Sequence, residues 1–253
     1  MTTLGATWTP LRAPGAPLRL AHRGDHRRWP ENSLAALQAA LAVPGCDGVE
    51  FDVRLSGDGV PVVLHDATLE RVQGRSERAA DLSAETLGAL GVPTLASVLA
   101  ALPRSAFLDV ELKEDATPAV VDALRSARGP ELANAVLSSF AATTLAGLAD
   151  REPEWTRWLN ADDLDDDTLG VAARLGCSAV AVRWTAIDQR SAERARAAGL
   201  EVAAWTVRRR ATFERLARLG VVAECVEGTA LEAQGTRRRR PLAEQRTRQR
   251  RPF

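Results

Sequence analysis

The chain is poor in the residues that most often do chemistry: one lysine, three histidines and three cysteines in 253 residues, against 32 arginines. The cysteines, Cys46, Cys177 and Cys225, are odd in number, far apart and without a Cys-x-x-Cys pair. Neither a disulfide framework nor a zinc site is indicated, and a reducing compartment fits. No stretch approaches the ~18 apolar residues of a membrane-spanning helix, and MTTLGATWTPLRAPGAPLRLAHRG lacks the charged start and apolar run of a secretory signal. A cytoplasmic location and no transmembrane segment are expected. Net charge is missing too, since 33 Lys+Arg balance 33 Asp+Glu, so the whole chain points to no specific nucleic acid. The balance is uneven, however. From Arg237 onward eight arginines face one acidic residue, Glu244, in a segment with few apolar side chains. Residues 235–253 are expected to form a disordered tail, fit only for weak, salt-sensitive contact with an anionic surface.

What is present is a rhythm. With 45% hydrophobic and 26% charged residues, the chain suits one globular domain of the larger kind, about 200–250 residues for barrels. Short β-branched runs alternate with longer Ala/Leu-rich runs, the mark of parallel βα units. Strands are predicted over 18–22, 48–54, 61–65, 106–112, 135–140, 156–160, 179–184, 201–207 and 221–226, one more than an eight-stranded barrel needs. The spare is the third. Only Leu55-Ser56-Gly57-Asp58-Gly59-Val60 precedes it, and a parallel crossover needs a dozen or more residues, so the second and third runs must form a hairpin. The expected fold is α/β: a (β/α)8 TIM barrel over residues 18–234 with a β-hairpin insertion after the second barrel strand, preceded by an extension over 1–17. Helices are expected over 33–41, 94–101, 117–126, 141–149, 165–175, 188–198 and 210–219. Thr94 is placed to cap the second of these, and Asp165, Asp166 and Asp167 load the N-terminus of the fifth with charge that suits its dipole. The stretch from Leu69 to Val92, without clear periodicity, is expected to be a loop covering the barrel mouth.

Reacting groups in such a barrel sit at the C-terminal strand ends, and that is where the scarce residues are. His22 and His65 each close an apolar run. The one lysine, Lys113, follows Glu111 by two. Glu50 and Asp52, two apart on one strand, share a face. Three carboxylates (Glu50, Asp52, Glu111) converging about 5 Å apart would repel by roughly 3 kcal/mol per pair at an effective dielectric of about 20. A hard divalent cation, Mg2+ or Ca2+, removes that cost. Arg23 and Lys113 supply cations suited to phosphate oxygens, and two imidazoles imply proton transfer in both directions. Metal-assisted cleavage of a phosphodiester uses all of these. Glu31, Asn32, Asp66 and Arg71 are placed to shape the site by hydrogen bonding, and His26, beyond Gly24, reads as solvated or at the substrate's edge.

The ordered set His22-Arg23-Gly24, Glu31-Asn32-Ser33, Glu50-Phe51-Asp52-Val53, Asp58-Gly59, Val62-Val63-Leu64-His65-Asp66, Pro93-Thr94-Leu95, Glu111-Leu112-Lys113, Ser138-Ser139-Phe140 and Trp205-Thr206-Val207 resembles the glycerophosphodiester phosphodiesterase family from about residue 18 to 230. The resemblance implies hydrolysis of small-molecule glycerophosphodiesters to glycerol 3-phosphate and an alcohol. It makes His22 and His65 the acid/base pair, Glu50, Asp52 and Glu111 the ligands of a divalent metal, Arg23 and Lys113 phosphate contacts, and Trp205 a wall for the glycerol or leaving group. Three positions depart from the pattern. Ser33 replaces the usual Thr, Arg208 stands where Asn often follows Trp-Thr-Val, and Val226-Glu227 replaces a common Thr-Asp. The last two are expected on the pocket rim, where they bear on substrate preference. Two alternatives remain open: a lysophospholipase D-like or cyclising phospholipase activity at the same site, and, from another class, an anion-binding module acting through the basic tail.

Overall fold

The computed structural model describes residues 16–232. The expected Arg-rich tail over 235–253 and nearly all of the expected extension over 1–17 lie outside the described residues. Nine strands form one sheet: β1 (Leu18–His22), β2 (Gly48–Leu55), β3 (Pro61–Val63), β4 (Phe107–Leu112), β5 (Ala135–Ser139), β6 (Arg157–Ala161), β7 (Ala179–Arg183), β8 (Glu201–Val207) and β9 (Ala223–Val226). All but β3 pair in parallel, and β1 pairs with both β9 and β2, which closes eight strands into a barrel. β3 pairs antiparallel with the far half of β2, Val53 opposite Val63. This is the (β/α)8 barrel with its hairpin insertion.

The strand sequences alternate with a period of two because neighbouring side chains point to opposite faces. Inward positions near the N-terminal ends are apolar and buried: Leu18, Leu20, Phe107, Val136, Trp158, Ala179, Ala203 and Ala223. Phe107 and Trp158, ring centroids 6.2 Å apart, plug this half of the barrel, and the alanines leave room for them. Outward positions such as Val49, Phe51, Val110 and Val180 pack under the helices in a larger apolar layer. That layer includes Leu37 of α1 (Leu34–Leu41), with helices α2 (Glu70–Gln73) and α3 (Ala84–Ala89) lying apart from it. It continues with Leu95 of α4 (Leu95–Ala101), Leu124 of α5 (Pro118–Arg128), Leu145 of α6 (Ala142–Arg151) and Leu169 of α7 (Asp166–Arg174). Ala195 of α8 (Gln189–Ala197), Leu216 of α9 (Arg210–Arg218) and Leu231 of α10 (Gly228–Leu231) complete it. Leu37, Leu95, Leu124 and Leu145 are fully buried, each removing about 1.5–3 kcal/mol of apolar exposure.

Thr94 caps its helix as expected, and Ser33 and Asp165 cap α1 and α7. Thr94 Oγ1 accepts from Ser97 N at 3.2 Å, Ser33 Oγ from Ala36 N at 3.2 Å and Asp165 Oδ1 from Thr168 N at 2.8 Å. The stretch expected as a mouth-covering loop is different. It holds α2, a 3-10 turn over Ala79–Asp81 and α3, and Leu69, Ala79, Leu87 and Val92 join Val62 and Leu64 of the hairpin in a satellite core. It packs beside the barrel, and Arg71 is its reach toward the site.

Candidate active site

The same period of two that puts apolar residues at one end of the barrel puts polar ones at the other. His22 follows Leu18 and Leu20 on the inward face; Asp109 and Glu111 follow Phe107, and Ser138 follows Val136. With Glu50, Lys113, Phe140, Asn160, Trp205, Cys225 and Glu227 they line a cleft of about 380 Å3 at the C-terminal ends of the strands, within the size range of small-molecule sites. Arg23, His26, Glu31, His65 and Arg208 complete its wall.

The β1–α1 turn sets the arginine. Arg23, Gly24 and Asn32 have φ of +56°, +83° and +59°, left-handed conformations that Gly and Asn tolerate and that cost other residues of order 1 kcal/mol. At Gly24 a Cβ would meet the Ala36 carbonyl carbon at 2.5 Å, so a side chain there would push α1 off the barrel. The turn returns through Asn32, whose N–H donates to Arg23 O at 3.0 Å. Asn32 Nδ2 donates to Asp52 Oδ2 at 2.7 Å. Arg23 N donates to Glu50 O and to Glu50 Oε2, at 2.9 and 3.1 Å. Its guanidinium lies 3.2 Å from Asp52 Oδ2 and donates to Glu31 Oε1 at 2.8 Å.

Register places the carboxylates. Asp52 stands opposite Glu111, and Glu50 opposite Asp109, across the parallel β2–β4 pair. Among the described residues Glu50, Asp52 and Glu111 are brought together, each offering an oxygen within 4.8 Å of the others. Lys113 Nζ lies 2.9 Å from Asp52 Oδ1 and also pairs with Glu111. Burial, then Asp52 and the other carboxylates, push Glu50 well above the usual carboxylate range, and burial with Asp52 raises Glu111. Burial works to raise Asp52 too, but Lys113 and Arg23 hold it low. Burial pushes Asp109 up to about 7; Ser138 Oγ donates to its Oδ1 at 2.6 Å and Cys225 Sγ lies 3.8 Å from its Oδ2. Asp52 is fully buried, its Oδ1 facing the Lys113 ammonium and its Oδ2 facing Arg23 and Asn32. Three buried carboxylates converging with oxygen donors within 4.8 Å of one another fit a hard divalent cation.

Each histidine is backed by a carboxylate. His22 Nδ1 lies 2.6 Å from Glu227 Oε1, and His22 Nε2 3.8 Å from Glu50 Oε2. His65 Nδ1 lies 2.6 Å from Asp66 Oδ1. An ionised carboxylate only accepts, so each imidazole donates from Nδ1 and turns Nε2 away from that partner. Burial lowers the pKa of both rings. Arg71 donates to Asp66 Oδ2 at 2.6 Å and to both oxygens of Glu31, at 2.8 and 2.7 Å. Against the pull of burial, Arg71 with Arg23 holds Glu31, and Arg71 with the hydrogen bond from His65 holds Asp66, at about 2. Trp205 is fixed by Nε1 donating to Ala181 O at 2.9 Å, with the half-exposed Phe140 edge-on at 5.6 Å.

The structure thus brings the sequence-predicted residues together. His22, His65, Arg23, Lys113, Trp205, Glu50, Glu111 and Glu31 reach the cleft, while Asp52, Asn32 and Asp66 stand directly behind them. His26 lines the cleft, its Nε2 3.7 Å from Glu227 Oε1. Glu227 corrects the expectation of a rim position, since it contacts His22 inside the cleft. Sequence reasoning missed Asp109 as well. The signal for both was parity, because Ala223-x-Cys225-x-Glu227 and Phe107-x-Asp109-x-Glu111 each extend an inward row.

Residues 22–227 match the glycerophosphoryl diester phosphodiesterase family. A phosphodiesterase from Oleispira antarctica, solved in complex with the product sn-glycerol-3-phosphate, superposes with a TM-score of 0.75 at 26% identity, over 83% of this chain and 93% of that one. A glycerophosphodiester phosphodiesterase from Agrobacterium tumefaciens gives a TM-score of 0.72 at 28% identity, over 85% of this chain and 98% of that one. The glycerophosphodiester phosphodiesterase 1 of Rattus norvegicus is 47% identical over 66 residues, 26% of this chain and 20% of that protein. The matched stretch therefore spans about a fifth of that relative's length.

Proposed function

The chain belongs to the glycerophosphoryl diester phosphodiesterase family, and we propose that it hydrolyses glycerophosphodiesters to glycerol 3-phosphate and an alcohol with a divalent cation, Mg2+ or Ca2+, at Glu50, Asp52 and Glu111. The observation that carries this reading is the convergence in one cleft of two carboxylate-backed imidazoles, two fixed cations and a buried three-carboxylate cluster. The product named for the Oleispira antarctica protein supports the substrate class.

The anionic diester is drawn to Arg23 and Lys113, whose side chains are already held by Glu31, Asp52 and Glu111 and so lose little freedom on binding. The cation, when bound, supplies charge stabilisation at a phosphoryl oxygen. His22 and His65 approach from β1 and from the hairpin, on separate elements. With both rings neutral and donating from Nδ1, Nε2 is the free base on each. One neutral imidazole takes the proton of the attacking hydroxyl at Nε2; the other, having first taken a proton from solvent at its Nε2, gives it to the departing alkoxide, and the first then releases its proton to solvent. Trp205 and Phe140 form the apolar side of the cleft, where the carbon skeleton of the glycerol or leaving group sits. Among the described residues no helix is long and apolar enough to cross a membrane, and we place the activity in the cytoplasm on water-soluble substrates.

The test is phosphorus NMR of the protein with glycerophosphocholine, glycerophosphoethanolamine, glycerophosphoglycerol and a lysophospholipid, first with chelator and then with Mg2+ or Ca2+. Cation-dependent loss of a diester signal with a matching monoester is expected. Loss confined to the lysophospholipid would favour the phospholipase alternative, and no loss with any cation would overturn the proposal.

A further inference from the structure

Two positions at which the sequence leaves the pattern it resembles are bonded to each other. Glu227, just past β9, uses both carboxylate oxygens: Oε1 faces His22 Nδ1 at 2.6 Å and Oε2 accepts from Arg208 Nε at 2.7 Å. The second histidine has the same arrangement, with Asp66 Oδ1 on His65 and Asp66 Oδ2 on Arg71 Nε. In both, the arginine is the outermost member: the side chain of Arg208 is 67% exposed and that of Arg71 49%. Glu227 itself is only 15% exposed.

A lone carboxylate on a three-torsion side chain can rotate away from a ring. One fixed at its far oxygen cannot, and its near oxygen then claims the ring proton. We propose that Arg208 and Glu227 act as one positioning unit for His22, Arg208 fixing the carboxylate and Glu227 holding the imidazole as the Nδ1–H tautomer, with Nε2 toward Glu50 and the cleft.

The unit makes an unusual prediction, because an amide has one accepting end where a carboxylate has two. In Glu227→Gln, Arg208 claims the amide oxygen, the NH2 turns to His22, and the ring is forced to the Nε2–H tautomer. Removing the clamp as well, in Glu227→Gln with Arg208→Ala, frees the oxygen to turn back to the ring. The second substitution should therefore restore what the first removed.

Two readouts test this. Ring nitrogen–proton NMR of the resting protein, simple because the chain has three histidines and assigned by the signal lost in His22→Gln, reads the tautomer without any turnover. Steady-state kinetics rest on the phosphodiesterase reading. Glu227→Gln is expected to switch His22 to Nε2–H and lower kcat about 10–100-fold, with KM changed less than about threefold. Arg208→Ala alone should cost only a few-fold, and the double variant should recover the Nδ1–H signal and at least about threefold of kcat over Glu227→Gln. An unchanged His22 ring in Glu227→Gln, or a double variant no better than Glu227→Gln, overturns the proposal. A wild-type protein that hydrolyses no diester overturns the functional reading instead, and the ring signals still decide this one.

Discussion

The three clustered carboxylates make a prediction that can be checked without a substrate. With the donor oxygens within 4.8 Å of one another and an effective dielectric of about 20, each ionised pair repels by at least about 3.5 kcal/mol. Arg23 and Lys113 offset part of this, but they face four buried carboxylates once Asp109 is counted. Without a cation, burial first and then this repulsion make the cluster hold protons, and so Glu50 and Glu111 titrate above their ordinary values. The folded chain then keeps protons that the unfolded chain releases above about pH 4.5. The stability these groups allow is fully present below that pH and declines as pH rises through their folded values. A divalent cation replaces the protons and removes the decline.

Two results are expected. At a cation concentration 100 times Kd, the gain is about 2.7 kcal/mol, and at about 2–4 °C per kcal/mol for a domain of this size Tm rises by roughly 5–10 °C. The rise should be larger at pH 8 than at pH 6, with protons released on binding. Thermal melts in chelator, Mg2+ and Ca2+ at both pH values, with sodium chloride matching the ionic strength, measure the first; titration calorimetry in buffers of different ionisation enthalpy measures the second. A Tm indifferent to every cation, or a response that survives Glu50→Gln with Glu111→Gln, refutes the reasoning.

Barrel and hairpin were legible because they follow from distances along the chain. A six-residue link cannot make a parallel crossover, so β3 had to leave the barrel. The site was legible where composition was improbable: a single lysine two residues after Glu111, and histidines closing two apolar runs. The remaining features depend on proximity in the closed barrel. Arg208 and Glu227 lie 19 residues apart and meet only because β8 and β9 are neighbours, so each reads alone as a rim residue. The helices α2 and α3, of four and six residues, are too short to show a 3.6-residue period, and α3 is marked locally by its cap, Ser83 Oγ accepting from Thr86 N. Outward parity hid another surprise. Arg19 and Glu224 are register partners on β1 and β9, on the face under the helices where apolar residues are expected, and both are buried.

The remaining predictions concern single residues. His22→Ala and His65→Ala should each abolish diester turnover with a circular dichroism spectrum unchanged from wild type; near-normal rates in both would remove the imidazoles from the chemistry. Lys113→Met should lower kcat/KM at least about 100-fold, and Lys113→Arg should rescue little, since a planar guanidinium does not fit where a compact ammonium meets both Asp52 and Glu111; full rescue by Arg would make the charge alone sufficient. Glu224 tests the outer layer: neither carboxylate oxygen accepts a hydrogen bond, and burial pushes the group up to about 9 despite Arg19 and Arg215. Its raised pKa costs nothing below about pH 4.5 and increasingly destabilises the fold as pH rises toward 9, reaching about 3 kcal/mol at pH 7 at 1.36 kcal/mol per pH unit. Glu224→Gln should therefore melt several degrees above wild type at pH 8 and close to it at pH 4.5. Parallel stability-against-pH curves for the two proteins would show that Arg19 already holds the carboxylate ionised, and the burial argument would fail.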